Sequence, residues 1–89
     1  MDEFTEQQLI QRSKSGDPEA FGQLMEAHQE RVYGLACRLA GDAEGADTVT
    51  QDTFVQAYRS LRQFKGRSRF MTWLYAIAVR NKPSSNISN

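Results

Sequence analysis

The amino-acid sequence predicts an all-α fold, a compact bundle of four helices over about residues 5–15, 18–40, 43–62 and 68–81. Three observations predict it. Apolar residues recur at spacings of three and four along the long segments, the period of one helix face. Gly16 and Gly41 each stand at the end of such a segment, with an aspartate directly behind to cap the next. No segment has the alternating pattern of a strand. The length of 89 residues allows one small domain with an adequate core. Apolar content of 39% and charged content of 25% are those of an ordinary globular protein.

The first helix, 5–15, carries Leu9 and Ile10 on a modest apolar side. Thr5 is placed to cap it, with Gln8 three residues on as a weak capping box. Asp17-Pro18-Glu19 then supplies a cap, a proline at the first helical position and a first-turn acid, strong start signals for the second helix. Phe21, Leu24, Met25, His28, Val32, Leu35, Ala36 and Leu39 form its long apolar stripe, and Gly41 ends it in a left-handed turn. His28 lies on that stripe without a second histidine, and Cys37 is not at a metal-ligand spacing from it, so a core or boundary role is expected.

Asp42 caps the third helix, 43–62. Its inner face holds Ala46, Val49, Thr53, Phe54, Ala57 and Leu61, continuing to Phe64. Its outer face holds Asp47, Thr48, Gln51, Asp52, Val55 and Arg59. In the fourth helix, 68–81, Phe70, Trp73, Leu74, Ile77 and Ala78 make one face and Ser68 is the expected cap. Pro83 cannot continue it, and a disordered polar tail is expected over 83–89.

Net charge is zero, but its distribution is not even. Residues 1–52 hold all eleven acids and four basic residues, a net −7, whereas residues 53–89 hold seven basic residues and no acid, a net +7. One end of the chain therefore suits phosphate and the other repels it. The basic end centres on Lys65-Gly66-Arg67-Ser68-Arg69, three cations directly before an apolar helix. A helix N-terminus behind such a loop presents free N–H donors, a positive dipole end and cationic side chains together, a combination suited to an anion. Tyr75, and part of Trp73, border the apolar face, where an aromatic ring can stack on an unstacked base.

No apolar run is long enough to cross a bilayer, and the acidic N-terminus lacks a secretory signal's layout, so no membrane insertion is expected. With Cys37 as the lone cysteine, the chain is expected in a reducing cytoplasm. Paired carboxylates, a nucleophile with its base and a phosphate-cradling glycine loop are all missing from the pattern. Enzyme activity, a cofactor and a metal are accordingly not expected.

The run from Phe64 to Asn81, F-x-G-x-S-x-F-x-T-W-L-Y-x-I-A-x-x-N, resembles region 2 of the extracytoplasmic-function sigma factors, promoter-recognising subunits of bacterial RNA polymerase. SGDPEAFGQLM at 15–25 and GDAEGADTVTQDTFVQAYRSLRQF at 41–64 are similar to the same region, so the resemblance covers residues 7–81. It implies a transcription initiation domain that binds the polymerase core and recognises the melted −10 promoter strand. Asp47, Gln51, Asp52 and Val55 match positions that touch the clamp helices of the β′ subunit. The loop Lys65, Gly66, Arg67, Ser68, Arg69 and Phe70 matches the loop that captures a base flipped out of the non-template strand. Thr72, Tyr75, Ala76, Arg80 and Asn81 match the helix face beside that strand. Trp73, on the apolar stripe, is expected to pack in the core rather than stack on a base.

Two departures stand out. Thr48 replaces an acid usual in the family, which implies a weaker clamp contact. The family's last helix continues where this chain reads KPSSNISN, and the domain that reads the −35 element is expected to be absent, leaving residues 1–82 as the region 2 unit of a fragment or truncated product. The competing expectation is a protein–protein interaction module, for example one held by an anti-sigma factor, whose basic end only aids solubility.

Overall fold

The computed structural model describes residues 2–81, so the expected tail lies outside the described residues. Four α-helices follow one another as α1 (Glu3–Lys14), α2 (Pro18–Ala40), α3 (Ala43–Ser60) and α4 (Phe70–Arg80), with a 3₁₀ turn at Leu61–Gln63 after α3. The all-α expectation holds.

The α2 boundaries coincide with the expected ones because both end signals act locally. The Asp17 carboxylate accepts hydrogen bonds from the Glu19 and Ala20 amides, and Gly41 takes φ +84° and donates its N–H to the Cys37 carbonyl. At 23 residues, α2 spans about 35 Å at 1.5 Å per residue, most of the molecule's 41 Å long axis. It packs against α1, α3 and α4, while α1 and α4 do not pack against each other. The main core gathers Leu9, Ile10, Leu24, Val32, Ala57, Leu61, Phe64, Phe70, Leu74 and Ile77. A smaller cluster of Ala36, Ala46 and Val49 lies between α2 and α3.

Three helices differ from expectation at their ends. α1 starts at Glu3, with Asp2 as its cap accepting from the Thr5 amide at 2.7 Å, so Thr5 is inside the helix. Aspartate is the stronger cap, and starting there puts Glu3 and Glu6 in the first turn, where their charge suits the dipole. α3 stops at Ser60, and its expected last turn tightens into the 3₁₀ segment that turns the buried Leu61 and Phe64 side chains inward. α4 begins at Phe70 and ends at Arg80. Ser68 does not cap it: Arg69 holds the cap position with extended backbone (ψ 149°), and the Ser68 hydroxyl donates to the Arg69 carbonyl at 3.4 Å instead. The buried Phe70 ring fixes where the helix starts, two residues beyond the residue with capping chemistry.

Candidate nucleic-acid interface

The basic loop hangs between two buried rings. Phe64 and Phe70 meet edge to face at 5.5 Å, and Trp73 packs on both, at 5.1 and 5.5 Å. Trp73 is half-buried against the main core, its expected place. The Lys14 ammonium, from the last turn of α1, donates to the Phe64 carbonyl and lies 5.8 Å from the centre of its ring. Between these anchors Lys65, Gly66, Arg67, Ser68 and Arg69 are all exposed. Gly66 has φ +75°, a left-handed turn that residues with a Cβ adopt at a cost.

Behind the loop, the first-turn amides of α4 have no side-chain cap. Three cations flank these free donors, and the described residues hold only two ion pairs, Arg12–Asp17 and His28–Glu6, neither of which uses a loop cation. The site therefore offers positive charge and N–H donors that no direct ion pair among the described residues occupies, a combination suited to an anion.

Because the backbones of α1 and α4 do not approach closely, a groove of about 670 Å³ opens between them. One wall is Gly66–Met71; the opposite wall is Glu3, Glu6 and Gln7 of α1; Ala27, His28 and Arg31 of α2 lie between. His28 is 8% exposed, its Nε2 lies 2.8 Å from the Glu6 carboxylate, and its ring rests 5.3 Å from that of Phe70. The pair thus ties α1 to α2 directly under the start of α4. His28 has the boundary role expected of it, and no group of three or more His, Cys, Asp or Glu side chains among the described residues could hold a metal.

Of the α4 residues singled out in the sequence, Thr72, Tyr75, Ala76 and Arg80 are exposed at helical spacing, a stripe leading away from the loop. Asn81 is half-buried at the C-terminal end of α4, and Phe70, 1% exposed, supports the loop from within the core. On the other side of the bundle Asp47, Gln51, Asp52 and Val55 are exposed together along α3, Val55 at 51%. Thr48 beside them donates to the Glu44 carbonyl at 3.3 Å. The Tyr33 hydroxyl on α2 titrates above its ordinary value, chiefly from the negative charge of a Cys37 thiolate, then from desolvation and from Asp47.

Sequence reading missed Lys14, the Glu6–His28 pair and the whole α1 wall of the groove. Only the apolar surroundings of His28 hinted at them. Lys14 and Phe64 lie 50 positions apart, and no local pattern joins them.

A family model described as Sigma-70 region 2 matches residues 24–81. The RNA polymerase sigma-H factor of Pseudomonas aeruginosa is 45% identical over 74 residues, 83% of this chain and 38% of that protein. The ECF RNA polymerase sigma-E factor of Haemophilus influenzae is 42% identical over 78 residues, 88% of this chain and 41% of that one. The Escherichia coli K12 sigma-E factor is 37% identical, covering 97% of this chain and 50% of its own. Among solved structures, an NMR structure of an engineered region 2 of sigmaE in complex with GTAAAA superposes with a TM-score of 0.80 at 38% identity, covering 92% of this chain and 86% of that one. The chain thus spans half or less of the length of these curated relatives. With a family model over most of its described helices and a matching solved fold, the chain belongs to the Sigma-70 region 2 family.

Proposed function

We propose that this domain binds the RNA polymerase core and recognises the melted −10 promoter strand, performing no bond chemistry itself. The observation that carries the reading is the uncapped N-terminus of α4 beside a loop of three cations that enter no ion pair among the described residues. Such a site takes a single strand by its phosphates and holds an extruded base in the adjoining groove, where backbone donors and the ring-lined support offset an unstacking cost of a few kcal/mol. Lys65, Arg67, Arg69 and Arg80 contribute phosphate contacts, which set affinity and its salt dependence. Gly66, Ser68 and Phe70 shape the pocket, while Thr72, Tyr75, Ala76 and Asn81 follow the strand along α4. The non-template strand is the proposed ligand, supported by a solved relative that carries GTAAAA.

Asp47, Gln51, Asp52 and Val55 are the proposed contacts to the β′ clamp helices, an exposed face that mixes acids with one apolar side chain. Residues 1–82 act as the region 2 unit. Its proposed place is the cytoplasm; no helix of the described residues is long and apolar enough to cross a membrane.

The test is binding of labelled single-stranded oligonucleotides with candidate −10 sequences against scrambled controls at moderate salt. Sequence preference that vanishes when Lys65–Arg69 are replaced by Ala or Gly supports base capture. Equal affinity for every sequence reduces the site to a generic basic surface and favours the interaction-module reading. Asp52→Arg tests the other face, and is expected to weaken capture of the clamp helices while leaving oligonucleotide affinity unchanged.

A further inference from the structure

The groove between α1 and α4 has walls of opposite charge. Arg67 and Arg69 stand on the loop side, Glu3 and Glu6 on the α1 side. Carboxylates repel phosphate, so a strand with its phosphates on the cationic wall turns an uncharged part toward the acids. For an extruded nucleotide that part is the base. The two acids are not equivalent. Glu3 is exposed, and its first-turn place suits the α1 dipole. Glu6 shares that place, yet its side chain is turned inward, 19% exposed, onto the His28 Nε2 at 2.8 Å. The dipole does not account for the inward turn. His28 is itself buried between Glu6 and the Phe70 ring, which fixes the carboxylate beneath the start of α4.

Only one oxygen of Glu6 meets His28. The other enters no hydrogen bond or ion pair among the described residues, and Arg31, between the walls, pairs with neither acid. Nor is it sealed: the polar side-chain atoms buried without a partner belong to Ser13, Thr50 and Asn81. Glu6 thus brings to the groove an acceptor that is held in place and lacks a donor.

We propose that Glu6 reads the captured base, its second oxygen accepting from an exocyclic amino group, and so selects against thymine. The inference rests on base capture at this groove. An ionised carboxylate only accepts, so the His28 Nε2–H is the donor that orients Glu6, and the second oxygen stays an acceptor. Extruded bases are read along the Watson–Crick edge, where adenine N6, cytosine N4 and guanine N2 all carry amine hydrogens. Thymine has no amine, and its single N3–H lies between two carbonyl oxygens that a carboxylate repels. A hydrogen bond to an ionised acceptor is about twice as strong as a neutral one, which makes the missing amine costly. The groove, at about 670 Å³, falls within the range of about 300–1,000 Å³ of small-molecule sites and has room for one base between its walls.

NMR titration of the full chain with single-stranded oligonucleotides tests the assignment. An abasic scan first locates the captured position, where removing the base costs the most affinity. At that position adenine, cytosine and thymine are compared with unsubstituted purine, which is adenine without its amino group. Adenine and cytosine are expected to bind about tenfold more tightly than thymine or purine. This comparison is made on the unaltered protein, so it stands however the variants fold. Glu6→Gln keeps a partner for His28 but removes the charged acceptor, and should reduce the adenine-to-purine ratio to about threefold or less. Glu3→Gln takes an equal charge from the same wall and should raise affinity for every base alike, with the ratio intact.

Purine binding as tightly as adenine, thymine binding as tightly as cytosine, or a ratio that falls equally in Glu3→Gln would overturn the assignment to Glu6. Base capture would survive each of those results, since the abasic-sensitive position remains. A strand with no such position would overturn base capture, and this inference with it.

Discussion

The turn between α2 and α3 and the loop between α3 and α4 do the same topological work with opposite outcomes. Both contain a left-handed glycine, Gly41 at φ +84° and Gly66 at φ +75°. After Gly41 comes Asp42, whose carboxylate accepts from the Gly45 amide at 2.6 Å and closes off a first-turn donor of α3. At the corresponding cap of α4 stands Arg69, whose side chain caps no amide. One junction is sealed from within; the other is left open and surrounded by positive charge. The difference teaches that the proposed binding end of this domain lies where the rule for capping a helix start is broken, and that packing of Phe64, Phe70 and Trp73 keeps the unsealed helix in place.

The contrast can be broken most severely at its support. Phe70→Ala removes a ring that is 1% exposed and should cost about 3–5 kcal/mol, read as a large fall in the thermal unfolding midpoint. At the sealed junction, Asp42→Ala should cost about 1 kcal/mol, whereas Ser68→Ala, at a residue that caps nothing, should stay within about 0.5 kcal/mol of the parent in chemical denaturation. The sharpest variant transplants the seal. Arg69→Asp should stabilise the protein by about 0.5–1 kcal/mol through a new cap, yet lower oligonucleotide affinity at least about tenfold by removing a cation and filling the free donors. A variant that gained stability and kept full affinity would separate the open N-terminus from binding.

The smallest expected effect concerns pH. Hydrogen bonds depress the Asp17 carboxyl, first from Arg12 and then from Ala20, and the Asp2 carboxyl, from Thr5. Their folded-state affinity for protons is below the unfolded one, so their contribution is complete above about pH 4 and declines as pH falls through the depressed values. Acid titration followed by circular dichroism should therefore show a modest loss of stability below about pH 4 that Asp17→Asn reduces. The open junction at Arg69 has no carboxylate cap and should add nothing to this loss.

How far the sequence disclosed these features depended on whether their causes were local. Asp17-Pro18 and Gly41 act on their immediate neighbours, so the ends of α2 could be read directly. The beginning of α1 was misplaced because the reading took Thr5 as the cap and passed over Asp2, three residues earlier, whose carboxylate is the stronger acceptor. The beginning of α4 was decided by the burial of Phe70 against α2 and Phe64, which no local propensity encodes. At the interface the same division applies. Charge segregation exposed the Lys65–Arg69 loop and helical spacing exposed the α4 stripe. The α1 wall depends on Glu6 meeting His28 across 22 positions, and the loop's near anchor on Lys14 reaching Phe64 across 50.

The two phenylalanine anchors make the loop a replaceable insert. Lys65, Arg67, Ser68 and Arg69 are exposed, and their side chains make no hydrogen bond or ion pair with any other element among the described residues. Folding therefore places almost no demand on their identity, Gly66 and its left-handed turn excepted. On the proposed reading of the loop, substitutions between the anchors change what the domain selects without changing whether it folds. A lineage of such domains can diverge in recognition while keeping one scaffold.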